Sequence, residues 1–221
     1  MSTTGWLSRQ PEDFRTEVLK RSVLRHHQAG KVLYDVDDPA SGVFGLVQGV
    51  LHVQLPNGHV GTIASPGFWV GESAGFRGER RRVALIARSP VWIYYLPLRE
   101  FKNLIANPEY CRSFAILTIE HLEDALRVVA SIMPSDVVAR VSGRLLGLLV
   151  TENRGGRKLD VTQSDLASMC GLTRQTVNRV LRRLADEGAI APHYGKIDVI
   201  DPAKLRNLAA RGMADWVSEP G

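Results

Sequence analysis

From Thr162 to Ile190 the chain reads TQSDLASMCGLTRQTVNRVLRRLADEGAI, two short helical patterns joined by a tight turn. In the second pattern Val177, Val180, Leu181 and Leu184 fall at i, i+3, i+4 and i+7, on one apolar stripe that faces a core. Arg174, Gln175, Asn178, Arg179 and Arg182 take the opposite face. Thr173 stands at the N-cap position, where its hydroxyl accepts a bond from an early backbone N–H. Thr162 and Asp165 have the spacing of a capping box, with Asp in place of the usual Glu or Gln. Gly171 supplies the backbone freedom that a sharp turn needs, and Ala167 leaves room for close helix approach. The segment predicts a helix-turn-helix.

A helix fits the major groove of B-form DNA, and guanidinium or amide side chains near its N-terminal end pair with base edges there. The implied partner is double-stranded DNA. Arg174 and Arg179 are assigned to guanine, and Gln175 and Asn178 to bidentate bonds with adenine. Thr162, Thr173, Thr176 and Arg182 are assigned to phosphates, which fix register without reading sequence. The competing reading, an amphipathic helix with an idle solvated basic face, leaves the cap, the glycine turn and the partner helix without a purpose. Gly188 ends the recognition helix, and Ile190 to Ile200 reads as two short strands around Tyr194-Gly195, a wing from which His193 and Lys196 reach the phosphate backbone.

Composition agrees. The 221 residues suffice for one or two domains, and a hydrophobic content of 44% supports real cores. A net charge of +5 favours a polyanionic partner, but with 23 acidic residues present the attraction must come from local faces. Met1 to Phe14 carries no basic-plus-apolar signal, and no apolar run approaches the roughly 20 residues of a membrane helix, so a cytoplasmic location without membrane contact is expected. Cys111 and Cys170 are isolated thiols without disulfide or metal-ligand spacing, and are expected to be reduced structural residues.

The first half has a different texture: short alternating segments punctuated by Gly, Pro, Asn and Asp. Val32, Tyr34 and Val36 alternate, as do Val43, Gly45 and Val47, then Leu51 and Val53; Val83, Leu85, Ile86, Val91, Ile93 and Tyr95 complete a sheet. Pro56-Asn57-Gly58 is a hairpin turn, and glycines 45, 49, 61, 67 and 71 are read as corners of a rolled sheet. A helical pattern between Arg9 and Gln28 precedes the roll, and another starts at Leu98 and runs to Ile105.

From Asn107 to Met133 a long helix follows, in which Ala115, Ile119, Leu122, Leu126, Val129 and Met133 alternate steps of four and three. That is a heptad seam, expected to pair with its twin in a twofold dimer because a helix-turn-helix reader needs two copies to contact two half-sites. Phe114, Leu117 and Val128 are expected to pack on the chain's own roll instead. Met133-Pro134-Ser135-Asp136 breaks the helix, with Ser135 placed to cap the next, and forms a hinge. Val137 to Val150 then opens the DNA-binding domain, and Asn153 to Lys158 reads as a polar surface loop.

A β-roll, a long helix, a hinge and a winged helix-turn-helix in this order resemble the Crp/Fnr family of bacterial transcription regulators over nearly the whole chain. Gly71-Glu72 followed by Arg82 looks like the family's phosphate-binding cassette, and Leu172 to Arg179 looks like its recognition helix. The resemblance implies an α+β fold: a cyclic nucleotide-binding-like β-roll (1–106), a dimerisation helix (107–133) and a winged helix-turn-helix domain (134–221). It also implies a homodimer on a palindromic promoter site, with RNA polymerase as a further partner. By the same resemblance Glu72 bonds a ribose hydroxyl, Arg82 pairs with a cyclic phosphate, and a signal in the roll reaches the recognition helices through seam and hinge.

Departures from the pattern matter as much. Val83 stands where cyclic AMP binders place a small hydroxyl residue, and Ala125 and Leu126 stand where the cyclic AMP receptor offers hydroxyls to adenine. Arg80 and Arg81 beside Arg82 leave the phosphate arginine open, and a mutual or surface ion pair of Glu72 and Arg82 in a retained scaffold is the alternative reading of the cassette. Each lost polar partner removes about 1 to 3 kcal/mol where a buried ligand group goes unpaired. The expectation is an effector other than cyclic AMP, or none. Gln175 replaces the Glu of several members, so the target palindrome is expected to differ from that of the cyclic AMP receptor. The N-terminal cysteine cluster of the iron–sulfur members is absent, and none of the six histidines has a haem-diagnostic setting.

Two other classes compete. A cupin-like metal enzyme would use His52 and His59, but they lie seven apart across a hairpin turn without a carboxylate partner, so neither catalytic nor metal-binding residues are assigned. A regulatory adaptor that does not bind DNA would leave the basic face idle.

Overall fold

The computed structural model describes residues 5–152 and 157–217. The chain divides into two compact units, and the boundary falls inside its longest helix, after Leu122, where the sequence reading treats that helix as a segment of its own. Residues 153–156 of the expected polar loop lie outside the described residues.

The first unit begins with a 3-10 turn, Leu7–Arg9, and helix α1, Glu12–Arg21. The expected helical stretch to Gln28 is corrected here: backbone turns extended at Ser22, and Val23–His27 is strand β1, paired antiparallel with β8 (Val91–Pro97). β1 is an edge strand whose Val23 and Leu24 stay half exposed, so backbone pairing rather than a buried face fixes it and no apolar alternation announces it. β2 (Val32–Tyr34), β3 (Gly42–Gln48), β4 (Leu51–Gln54), β5 (Val60–Ala64), β6 (Trp69–Val70) and β7 (Ala84–Ala87) complete the roll. The strands form two four-stranded sheets, ordered β1-β8-β3-β6 and β2-β7-β4-β5.

β3 is buried on both faces, which explains its unbroken apolar run. Phe44 and Leu46 point into the roll with Tyr34, Leu51, Leu85 and Ile93. Val43 points outward against Trp69 and Leu96, in a second core with Trp6, Phe14, Phe101, Phe114 and Leu117. Gly45 is therefore no corner: a Cβ there would lie 2.4 Å from the Trp69 ring, so the glycine admits the indole. Gly61 likewise lies within β5, whereas Gly49, Gly67 and Gly71 have the positive φ of true corners.

Helix α2 (Glu72–Arg77) lies between β6 and β7, and α3 (Leu98–Ile105) follows β8 as expected. Helix α4 runs from Pro108 to Ile132, opened by the Asn107 carboxamide oxygen, which accepts from Glu109 N–H at 3.0 Å. Its Phe114 and Leu117 are buried in the outer core. Ile119, Leu122, Leu126, Val129 and Met133, by contrast, are 51–61% exposed, and Ala115 is half-buried.

The second unit contains α5 (Val137–Glu152), β9 (Lys158–Leu159), α6 (Gln163–Cys170), α7 (Arg174–Asp186), β10 (Ile190–His193), β11 (Lys196–Val199) and α8 (Pro202–Val217). The cap of α5 is Asp136, whose carboxylate accepts from Ala139 N–H at 2.9 Å, not Ser135: one residue closer to the helix, the side chain reaches the third N–H. The wing strands pair in register from Ile190↔Val199 to His193↔Lys196, and β9 adds a third strand that no periodicity in two residues signals. Leu145, Leu148, Leu166, Val177, Leu181, Leu184, Ile197 and Leu205 are among the buried side chains of this unit.

Candidate nucleic-acid interface and β-roll pocket

The helix-turn-helix is built from its caps inward. Thr162 Oγ1 accepts from Asp165 N–H at 3.1 Å, and Asp165 Oδ2 accepts from Thr162 N–H at 2.8 Å, which closes the capping box reciprocally. At the turn Gly171 takes φ +62° with open space around its would-be Cβ, so conformation rather than room demands glycine. Leu172 N–H then returns to the Ala167 carbonyl at 2.9 Å. Thr173 Oγ1 accepts from Thr176 N–H at 3.1 Å and starts α7.

On α7, Val177, Val180, Leu181 and Leu184 are at most 3% exposed. Arg174, Gln175, Arg179 and Arg182 are exposed, and Asn178 is half-buried between them. Gln175, Asn178, Arg179, Arg182, Arg183 and Asp186 line one shallow open depression. The first turn of α7 carries Arg174 and no acidic residue. A cation opposes the helix dipole there, so this placement serves an external anion better than it serves the helix. Among the described residues, Arg183 is held by Glu187 at 3.0 Å, whereas the guanidiniums of Arg174, Arg179 and Arg182 have no internal acceptor.

Thr162 and Thr173 accept from backbone at the caps, and the Thr173 and Thr176 hydroxyls lie 2.9 Å apart, so one of that pair donates to the other and the remaining proton is left to donate outward. In the wing, His193 lies 3.5 Å from Asp198 and Lys196 lies 3.2 Å from Asp160, so each has an acidic neighbour. Tyr194, which sequence reasoning treats only as part of the turn, projects fully into solvent. Cys170, at the end of α6, is buried, and burial pushes its thiol up to about 11.

The β-roll cassette is arranged differently from its sequence reading. Arg82 is exposed, its side chain 78% accessible, and pairs with Glu79 at 3.3 Å. The buried guanidinium belongs to Arg81. It donates to the carbonyls of Gly42 at 2.7 Å and Gly71 at 3.1 Å and stacks 4.2 Å from the Tyr34 ring centroid. β7 begins only at Ala84 and residues 81–83 approach it as irregular backbone, so the exchange is set by the bonds of Arg81 to the Gly42 and Gly71 carbonyls rather than by strand alternation. Burial disfavours the Arg81 charge and the facing Tyr34 and Glu72 favour it; burial is the larger effect.

Glu72 is 1% exposed and accepts at Oε1 from His121 Nδ1 at 2.9 Å and from Thr118 Oγ1 at 3.4 Å. No direct ion pair joins Glu72 to Arg82 among the described residues. Val83 packs on the inner core, while Ala125 and Leu126 are exposed on α4. Sequence reasoning missed Thr118 and His121, because nothing in a helical pattern says which polar residues meet a buried carboxylate. Among the described residues no group of three or more His, Cys, Asp or Glu side chains could hold a metal ion.

A cyclic nucleotide-binding domain model matches residues 24–107, and a Crp-like helix-turn-helix domain model matches residues 139–208, together more than half of the chain. The chain belongs to the Crp/Fnr family. As a family member it is a DNA-binding transcription regulator and not an enzyme, and neither the cupin-like nor the adaptor reading has support. It is 29% identical over 187 residues to the transcriptional regulator SdrP of Thermus thermophilus, covering 80% of this chain and 89% of that protein. It is 26% identical over 194 residues to the nitrogen fixation regulation protein FixK of Bradyrhizobium diazoefficiens, covering 84% and 81%. Its fold is that of FixK2 from Bradyrhizobium japonicum, with a TM-score of 0.74 at 21% identity over 85% of this chain and 96% of that one. Against the family pattern, Glu72 keeps a buried carboxylate in the cassette, whereas Arg82 does not keep a buried cation.

Proposed function

We propose that two copies of this chain pair through α4 and read a palindromic promoter site with both α7 helices, under control of an effector other than cyclic AMP or of none. The carrying observation is the joint exposure of two faces that a soluble monomer has no reason to keep: an apolar seam on α4 and guanidiniums without internal acceptors on α7. Ile119, Leu122, Leu126, Val129 and Met133 repeat at heptad spacing, which fits the same helix of a second copy. Arg174 and Arg179 read guanine, Gln175 and Asn178 adenine, and Thr162, Thr173, Thr176, Arg182 and His193 hold the backbone.

The geometry of the roll argues against cyclic AMP. The arginine that alignment with the cassette selects, Arg82, faces solvent, and the buried one, Arg81, already satisfies two backbone carbonyls. Val83, Ala125 and Leu126 bring no hydroxyl to a ligand. Family membership supports the cytoplasm as the place of action and RNA polymerase as the further partner, and no helix among the described residues is long and apolar enough to cross a membrane.

Selection of sites from random DNA, followed by binding titrations over a range of salt, tests this reading. The expected result is a twofold-symmetric site distinct from the cyclic AMP receptor's consensus, bound with a steep negative salt dependence. Sedimentation is expected to show a dimer that Leu122→Asp converts to monomer, because a carboxylate in an apolar seam goes unpaired. A wild-type monomer on an asymmetric site, or cyclic AMP bound at micromolar affinity by calorimetry, overturns the corresponding part.

A further inference from the structure

The Glu72 carboxylate is almost wholly buried in the first unit, and its Oε2 finds no hydrogen-bond donor among the described residues. Among the described residues its hydrogen bonds go to α4: Oε1 meets His121 Nδ1 at 2.9 Å and Thr118 Oγ1 at 3.4 Å. Thr118 and His121 alternate along the chain with Ile119 and Leu122, two of the exposed seam residues. The residue that anchors the cassette thus touches the helix one position away from each of two residues of the apolar seam.

We propose that Glu72 and His121 form a proton-dependent clasp that positions α4 on the β-roll and so sets how the seam is presented, an inference that rests on the dimer reading above. The groups around the clasp favour this use. Among the groups that face the imidazole are Glu72 from α2 and the ring of Phe68, 5.3 Å away between centroids. On its own helix, the neighbouring Glu120 is engaged by Arg9 through two bonds of 2.9 and 2.8 Å, and Asp124 is paired with Arg127. Behind Glu72 stand Arg81 and Tyr34, both of which interact with it electrostatically. Arg81 donates to two carbonyls and makes no hydrogen bond to Glu72 among the described residues, so a cation in direct contact with the carboxylate would be a protonated His121. Thr118 adds a hydroxyl donor at either protonation state.

The direction of the pH effect follows. With its proton, the imidazole both donates to the buried carboxylate and offsets its charge; without it, only the donated bond remains. The clasp is therefore strongest with the imidazole protonated and weakens as that proton is removed. Alkaline conditions loosen α4 from the roll.

The test uses the full chain as wild type, His121→Gln, His121→Arg and Glu72→Gln, with melting temperature and dimer dissociation constant measured from about pH 5.5 to about pH 8.5. In the wild type, dissociation is expected to rise about tenfold across that range, with the melting temperature falling in parallel. His121→Arg, a fixed cation, is expected to flatten both profiles near the wild-type acid level, and His121→Gln to flatten them at the alkaline level. A His121→Gln protein that follows the wild-type profiles in both measurements overturns the clasp. If Glu72→Gln does not fold, the two His121 variants decide the question. A wild type that stays monomeric at every pH sinks the dimer reading instead, and the melting profiles then judge the clasp by the same criterion.

Discussion

In α7 the guanidiniums of Arg174, Arg179 and Arg182 stand in water with no internal acceptor among the described residues, whereas in the β-roll the guanidinium of Arg81 lies 2% exposed between aromatic rings and donates to two carbonyls. The two regions use one side chain for opposite ends. In α7 a rigid apolar stripe holds the charges outward at no cost in desolvation, ready for an anion that arrives from outside. In the roll, two backbone carbonyls and two aromatic rings already engage the guanidinium, although its buried Nε–H finds no acceptor among the described residues, so less of that charge is left for a ligand. Being an arginine in a motif says less about function than whether its donors are already taken.

The sharpest way to break this contrast is Arg81→Ala. It leaves the Gly42 and Gly71 carbonyls without donors and a void beside Tyr34, and is expected to cost about 2 to 4 kcal/mol of stability by urea unfolding. An unchanged unfolding midpoint would mean that Arg81 is held in reserve for an effector. Next comes Arg179→Ala, expected to lose about 1 to 3 kcal/mol of affinity for the selected site and to relax its preference at one base pair, at an unchanged melting temperature. Site preference that survives in this variant contradicts the assignment of Arg179 to a base. Arg182→Ala is expected to weaken binding to all sequences alike and to reduce the salt slope by about one, the mark of a lost phosphate contact. The smallest effect belongs to Arg82→Ala, where only an exposed pair with Glu79 is removed and the unfolding midpoint is expected not to move. A large loss of stability there would reverse the roles given to Arg81 and Arg82.

Much of this was legible in the chain because it depends on neighbours close in sequence. The capping box at Thr162, the Thr173 cap, the Gly171 turn and the stripe from Val177 to Leu184 are all spacings of four residues or fewer between successive members. The exposed apolar row along α4 was legible for the same reason. The failures share a cause as well. Strand β1 hid because an edge strand is fixed by backbone bonds to a β8 some seventy positions away, and Gly45 passed for a corner because Trp69 is its reason for being glycine. The exchange of Arg81 for Arg82 turns on the Gly42 and Gly71 carbonyls, which segments distant in sequence supply, and the Asp136 cap replaced Ser135 by a single residue.

The sequence by itself determined the helix-turn-helix, the wing, the apolar row along α4 and the family, since periodicity and capping are local and survive without knowledge of the rest of the fold. Only the tertiary structure decided which arginine is buried and what the Glu72 carboxylate meets. Desolvation and long-range hydrogen bonds belong to surroundings that distant segments assemble together, and no window along the chain contains them.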